Sequence, residues 1–200
     1  MNKKGFTLIE LLAVITIMGI LMLVAIPAVS RTIENSRRDT FADNVVTYLN
    51  TVRNAVLADE LKCGTSSGGT YTWTYPSVSG TPDGTFYVKI NTNDSATQDM
   101  MESVAKSSWG NSDMEGYITW KKQDGNTEYY AFISDKANHG MYAEQSELNI
   151  NRGTVVANIT NTEKCGTGGD EACTAATTSS VPTQKITGSS DPVYECQLKY

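Results

Sequence analysis

Histidine is nearly absent from this 200-residue chain, and that scarcity sets the first limit. Any Ser–His or Cys–His nucleophilic site would have to use His139, which lies in Lys136-Ala137-Asn138-His139-Gly140, a turn composition. No G-x-S-x-G or H-E-x-x-H context surrounds any residue, and no glycine-rich phosphate loop follows a predicted strand. The four cysteines form no C-x-x-C pair, which with one histidine argues against zinc. Asp170, Glu171 and Asp191 offer carboxylates, but no D-x-D-x-D-G calcium loop is present. Basic residues are outnumbered, 16 against 22 acidic, for a net charge of −6. Lys121, Lys122 and Lys136 are too sparse to track phosphates, so nucleic acid is not an expected partner. No internal repeat is visible. Neither a cofactor, a metal nor enzymatic activity is expected.

Charge is also missing from most of the first thirty residues. After the basic leader Met1-Asn2-Lys3-Lys4-Gly5, the 24 residues from Phe6 to Val29 are apolar or small except Thr7, Thr16 and Glu10. As a helix this run would be ~36 Å long, enough to cross a hydrocarbon core of ~30 Å. Lys3 and Lys4 predict a cytoplasmic N-terminus with the remainder exported. A cleaved secretory signal is the competing reading, giving a soluble chain that begins near residue 29. The run exceeds an h-region of about 7–15 residues, and an h-region carries no charge. Glu10 is therefore the informative residue, because a carboxylate at the bilayer centre costs about 2.5–3.5 kcal/mol and marks a functional position by default.

Lys4-Gly5-Phe6-Thr7-Leu8-Ile9-Glu10 resembles the prepilin peptidase signature of type IV pilins and type II secretion pseudopilins. The resemblance covers about the first thirty residues. It implies cleavage between Gly5 and Phe6 by a membrane peptidase, with N-methylation of Phe6. It implies that Glu10 pairs with the terminal amine of Phe6 on a neighbouring subunit during assembly. Gly19 and Pro27 stand where the family carries helix-loosening residues, and Pro27 is expected to kink the helix on its own account. The implied partners are further copies in a helical filament, the peptidase, a membrane-embedded assembly platform, related minor pilins and the cytoplasmic membrane. The implied location is that membrane, in a single pass, before assembly, and a filament at the cell surface afterwards.

Beyond Val29, Ile33, Phe41, Val45, Tyr48, Leu49, Val52 and Val56 recur mostly at three- and four-residue steps, the stripe of an amphipathic helix. One helix is expected from about Thr7 to Leu61, with Gly64 as its stop. From Cys63 onward Gly, Ser, Thr and Asn dominate. Strands are expected at 70–75, 85–91, 117–122, 127–134, 155–160 and 193–200, with Asp124-Gly125 turning a hairpin. A short helix is expected over 95–107, capped by Asp94 or Ser95, with Met100, Met101 and Val104 buried. Residues 64–69 and 166–180 read as loops. The fold class is α+β, a long N-terminal helix packed on an antiparallel strand-rich head, as in pilins. The expected divisions are a leader (1–5), a membrane or filament-core segment (6–29), an amphipathic helical half (30–62) and a head (63–200).

Four cysteines in an exported domain suggest two disulfides, for which three pairings exist. Cys165 with Cys173 would close a local loop, and Cys63 with Cys196 would tie the chain end to the top of the helix; these are the favoured pairs. Together the readings point to a structural subunit of a type IV pilus-like surface filament serving adhesion or motility. The alternative is a pseudopilin of a type II secretion or competence apparatus.

Overall fold

The computed structural model describes residues 7–67, 70–76, 83–101, 104–110, 112–159, 175–177, 179–180, 182 and 193–199, and for 65–67 and 70–76 the backbone alone. Two units are distinguished, Met1–Ser36 and Arg37–Tyr200, and the boundary falls inside the first helix.

Helix α1 is Leu8–Leu57. In the second unit its expected stripe is buried: Phe41, Val45, Tyr48, Leu49, Val52 and Val56 are at most 5% exposed. Ile33 is the exception at 48%. The helix stops before the expected Leu61 because a Schellman motif ends it. Asp59 adopts φ 57, Glu60 N–H donates to Ala55 O (3.0 Å), and Asp59 N–H donates to Val56 O (3.2 Å). Lys199 holds the Asp59 carboxylate at 2.9 Å. Gly64, the expected stop, instead lies within a strand, so the loop expected from residue 64 is β-structure as far as Ser67.

The strands are β1 (Leu61–Ser67), β2 (Thr70–Pro76), β3 (Gly84–Asn91), β4 (Met114–Gln123), β5 (Asn126–Asp135), β6 (Gly140–Met141), β7 (Gln145–Ser146), β8 (Val155–Val156) and β9 (Val193–Leu198). They form one sheet in the order β2-β1-β9-β3-β4-β5-β6-β8, with β7 also on β5. All pairings are antiparallel except β3 with β9. β4 and β5 are joined through Asp124 (φ 50) and Gly125 (φ 81), the two left-handed residues of a type I′ hairpin turn. Helix α2 is Ser95–Met100, shorter than expected, and Thr97 is its buried residue. Thr97 Oγ1 accepts from Asn91 N–H (2.9 Å), a polar tie to β3, while Met101 is buried and Met100 and Val104 pack partly buried against the core, as expected.

Both faces of the sheet are covered. Register places Phe86, Trp120 and Tyr129 in one row and Val88, Ile118 and Ala131 in the next. This face meets α1, since the Arg53 guanidinium lies 4.6 Å from the Tyr129 ring centroid. Phe86 stacks between Trp120 (5.7 Å) and Tyr194 (5.0 Å). On the other face Tyr117 meets Tyr87 and Phe132 edge-on at 6.3 and 5.8 Å, and all three are buried. Ser134 Oγ on that face donates to Ala176 O (3.1 Å), and Ala176 is buried. Residues 175–177, in the segment expected as a loop over 166–180, have no regular structure and are held at Ala176.

Gly140 (φ 123) opens β6 where no side chain fits. A Cβ there would stand 2.6 Å from Phe41 Cζ and 2.8 Å from Ser134 Cα. The glycine thus lets α1 approach the sheet.

Cys63 and Cys196 face each other across β1 and β9 and form a disulfide, 133 residues apart in sequence. Cys165 and Cys173 lie outside the described residues. Closing so long a loop stabilises by up to about 5 kcal/mol in the chain-entropy account. Cys63→Ser with Cys196→Ser is expected to lower unfolding stability by about 2–5 kcal/mol, read by denaturant titration of the full chain in detergent. A double variant with an unchanged midpoint would remove this role.

Candidate anchor and assembly segment

From Thr7 to Thr32 every residue of the first unit is solvent-exposed, including Leu8 (83%) and Leu23 (77%). A helix apolar all round needs cover from lipid or from other protein. This is one helix long and apolar enough to span a membrane, by length and composition. The helix continues through Pro27, whose ring removes one N–H from the ladder. Ser30 Oγ donates to Ile26 O (3.0 Å) and Thr32 Oγ1 to Ala28 O (3.0 Å), so hydroxyls add hydrogen bonds around the proline. Thr16 Oγ1 bonds Ala13 O (2.9 Å) and thereby loses its exposed polarity to the backbone. Gly19 has nothing within 4 Å of a built Cβ, so the space there does not require glycine.

Glu10 has partners within its own chain. Its Oε2 accepts from Thr7 N–H (2.8 Å) and Thr7 Oγ1 (2.8 Å), while Glu10 N–H donates to Thr7 Oγ1 (3.3 Å). Thr7 O accepts from Leu11 N–H (3.2 Å), as an N-cap carbonyl does. This is a capping box, with Thr7 as cap and Glu10 three positions on. It satisfies donors that a helix start in oil would otherwise leave bare, and it sets a carboxylate against the positive end of the helix dipole. The reading of Glu10 as a carboxylate whose partner must come from another copy needs that addition. The signal was present in Thr7-Leu8-Ile9-Glu10, which spells the Thr-x-x-Glu pattern. Gly5 and Phe6, the expected processing residues, lie outside the described residues.

In the second unit the single histidine belongs to a buried polar joint. Asp135 is 1% exposed and accepts from Ser107 Oγ (2.6 Å), Ser112 Oγ (3.2 Å), Ala137 N–H (2.8 Å) and His139 N–H (2.9 Å). His139 Nδ1 lies 2.9 Å from Asp135 Oδ2, and the imidazole stacks on Trp109 at 5.2 Å. Trp109 in turn packs on Phe41 of α1 at 5.7 Å. The serine hydroxyls point at the carboxylate and not at the imidazole, so the arrangement fixes a turn and lacks the order of a nucleophilic triad. Asn138, in the same turn, takes φ 64. Among the described residues no group of three His, Cys, Asp or Glu side chains is placed to hold a metal. Asp170, Glu171 and Asp191 are outside those residues.

Residues 1–26 match the family described as the prokaryotic N-terminal methylation motif. No curated protein and no solved structure matches the chain. The chain joins a long, exposed apolar helix to a head built on one sheet. Its N-terminal motif is the hallmark of type IV pilin and pseudopilin prepilins, a structural and not an enzymatic family.

Burial pushes the Asp135 carboxyl up, but hydrogen bonds from Ser107 and His139, with the imidazole's charge, outweigh it and leave the pKa below its ordinary value. A depressed carboxylate contributes stability that is present above its unfolded pKa and is lost as pH falls through the native one. Asp135→Asn should therefore cost about 1–3 kcal/mol at neutral pH, and the penalty should shrink below about pH 4. Unfolding midpoints measured from pH 7 down to pH 2 test this, and a penalty independent of pH would contradict it.

Proposed function

We propose that this chain is a prepilin, cleaved between Gly5 and Phe6, methylated at Phe6, and polymerised into a type IV pilus-like surface filament. The observation that carries the reading is the wholly exposed apolar helix that begins at the methylation motif. Before assembly the helix spans the cytoplasmic membrane with its N-terminus inside. The prepilin peptidase and a membrane-embedded platform process and add each subunit, and minor pilins join the same fibre. In the filament the helices of neighbouring copies replace lipid as the cover for residues 8–29.

Glu10 serves two stages in this scheme. In the single subunit it caps its own helix through Thr7. In the growing fibre its carboxylate receives the methylated amine of Phe6 from another copy. A buried polar group that fixes register is the best-attested use of such residues. Pro27 and Gly19 are weak points at which the helix can loosen as it packs. A strand-rich head closed by a disulfide suits a fibre whose outer surface faces the medium.

N-terminal mass spectrometry of the mature chain is expected to return methylated Phe6, whereas a start near residue 29 removes the proposal. Glu10→Val is expected to insert in the membrane as the parent does and to leave cells without fibres by electron microscopy. Normal fibres from that variant would overturn the role of Glu10. Loss of exoprotein export on deletion, without loss of fibres, would assign the chain to a secretion apparatus.

A further inference from the structure

Two charged side chains stand apart from the rest on the part of α1 that belongs to the second unit. Asp39 pairs with Arg152 (3.5 Å), Arg53 pairs with Glu147, and Arg38 also has a partner. Arg37 and Asp43 are exposed, and among the described residues neither side chain makes an ion pair or a hydrogen bond. Ser108 Oγ (2.7 Å) and Thr47 Oγ1 (2.9 Å) donate to their backbone carbonyls, which leaves the charged ends bare.

The two have opposite signs and point different ways. Six residues separate them, about 9 Å along the axis and about 120° around it, so they do not meet within one helix. For the same reason one neighbouring helix does not cover both. A second copy of the chain supplies each with what it lacks. Set beside the first and displaced along it, that copy brings its Arg37 against the first copy's Asp43. The same displacement, repeated, leaves the second copy's Asp43 open to the Arg37 of a third. Such a contact joins two different patches, so it is heterologous and runs on from copy to copy.

We propose that Arg37 of each subunit pairs with Asp43 of the next, an ion pair between copies that fixes the stagger of neighbouring heads. The inference rests on the filament reading above and adds to it a named contact in the head. Exposed ion pairs contribute little affinity, whereas like charges brought face to face are strongly disfavoured. The pair therefore acts by selecting one stagger over others.

Reversing the charges tests the contact and its polarity together, with fibres sheared from cells as the readout. Arg37→Glu puts two acids at each contact, and Asp43→Arg puts two arginines there. Each alone is expected to lower fibre yield about tenfold or more. Arg37→Glu combined with Asp43→Arg in one chain restores opposite signs and is expected to return near-parental yield. Co-expression of the two single variants is the sharper test. Their copies can alternate so that every contact again joins an acid to an arginine, and fibres are expected from the mixture. A charge needed inside its own head gives no such rescue. Circular dichroism and an intact Cys63–Cys196 disulfide by non-reducing mass spectrometry report that the heads are folded. Parent cells without fibres would remove the filament reading and this contact with it. Parental fibres matched by either single variant, or no recovery from the double exchange or the mixture, would overturn the contact alone.

Discussion

The whole sheet hangs on the slot occupied by β9. The β1–β2 hairpin has no described strand neighbour except β9, and β3 joins β9 on the other side in the one parallel pairing. Remove β9 and the sheet falls into a detached hairpin and a separate meander. A parallel neighbour needs a long crossover, and here the chain runs from β8 at residue 156 to β9 at residue 193 before returning. The Cys63–Cys196 bond sits at this seam, between residues already opposite in register. Tyr194 strengthens the opposite side of β9 by stacking on Phe86 of β3. Covalent, aromatic and ladder contacts thus converge on the strand with the most to hold together.

Helix α1 divides into two differently built parts along one backbone. Its Phe41–Val56 stripe is buried in the head, whereas residues 8–29 carry apolar side chains on every side. The polar devices follow that division. Near the N-terminus, Thr7, Glu10, Thr16, Ser30 and Thr32 spend their hydrogen bonds on the helix itself. In the head, Arg53 pairs with Glu147 and covers Tyr129, and Tyr48 OH donates to Ala105 O. The Asp135 joint ties β5, the residue 136–139 turn and Trp109 to the same helix.

Local patterns were readable in the sequence wherever one period or one turn carried the information. The α1 stripe, the Asp124-Gly125 hairpin and the strands expected at 85–91, 117–122, 127–134 and 193–200, the last of which ends at Leu198, are of this kind. The helix end was misplaced because glycine is the usual left-handed stop, and here an aspartate held by Lys199 takes that conformation. The capping box is legible as the Thr-x-x-Glu pattern of Thr7-Leu8-Ile9-Glu10. β9's central, parallel place was not legible, since pairing across more than a hundred residues leaves no local mark. Nor was the Asp135 joint, whose members come from two stretches separated in sequence, 107–112 and 135–139. Only the N-terminal motif, a feature of sequence more than of fold, spoke directly to function.

The position of β9 also has a consequence for timing. A ribosome delivers β1 and β3 about a hundred residues or more before the strand that must lie between them. Until then the nascent head contains a gap at its middle that no earlier segment fills. Completion is thereby deferred until β9 has been translated, and a polypeptide arrested short of it is left with an open seam that quality-control proteases can grip.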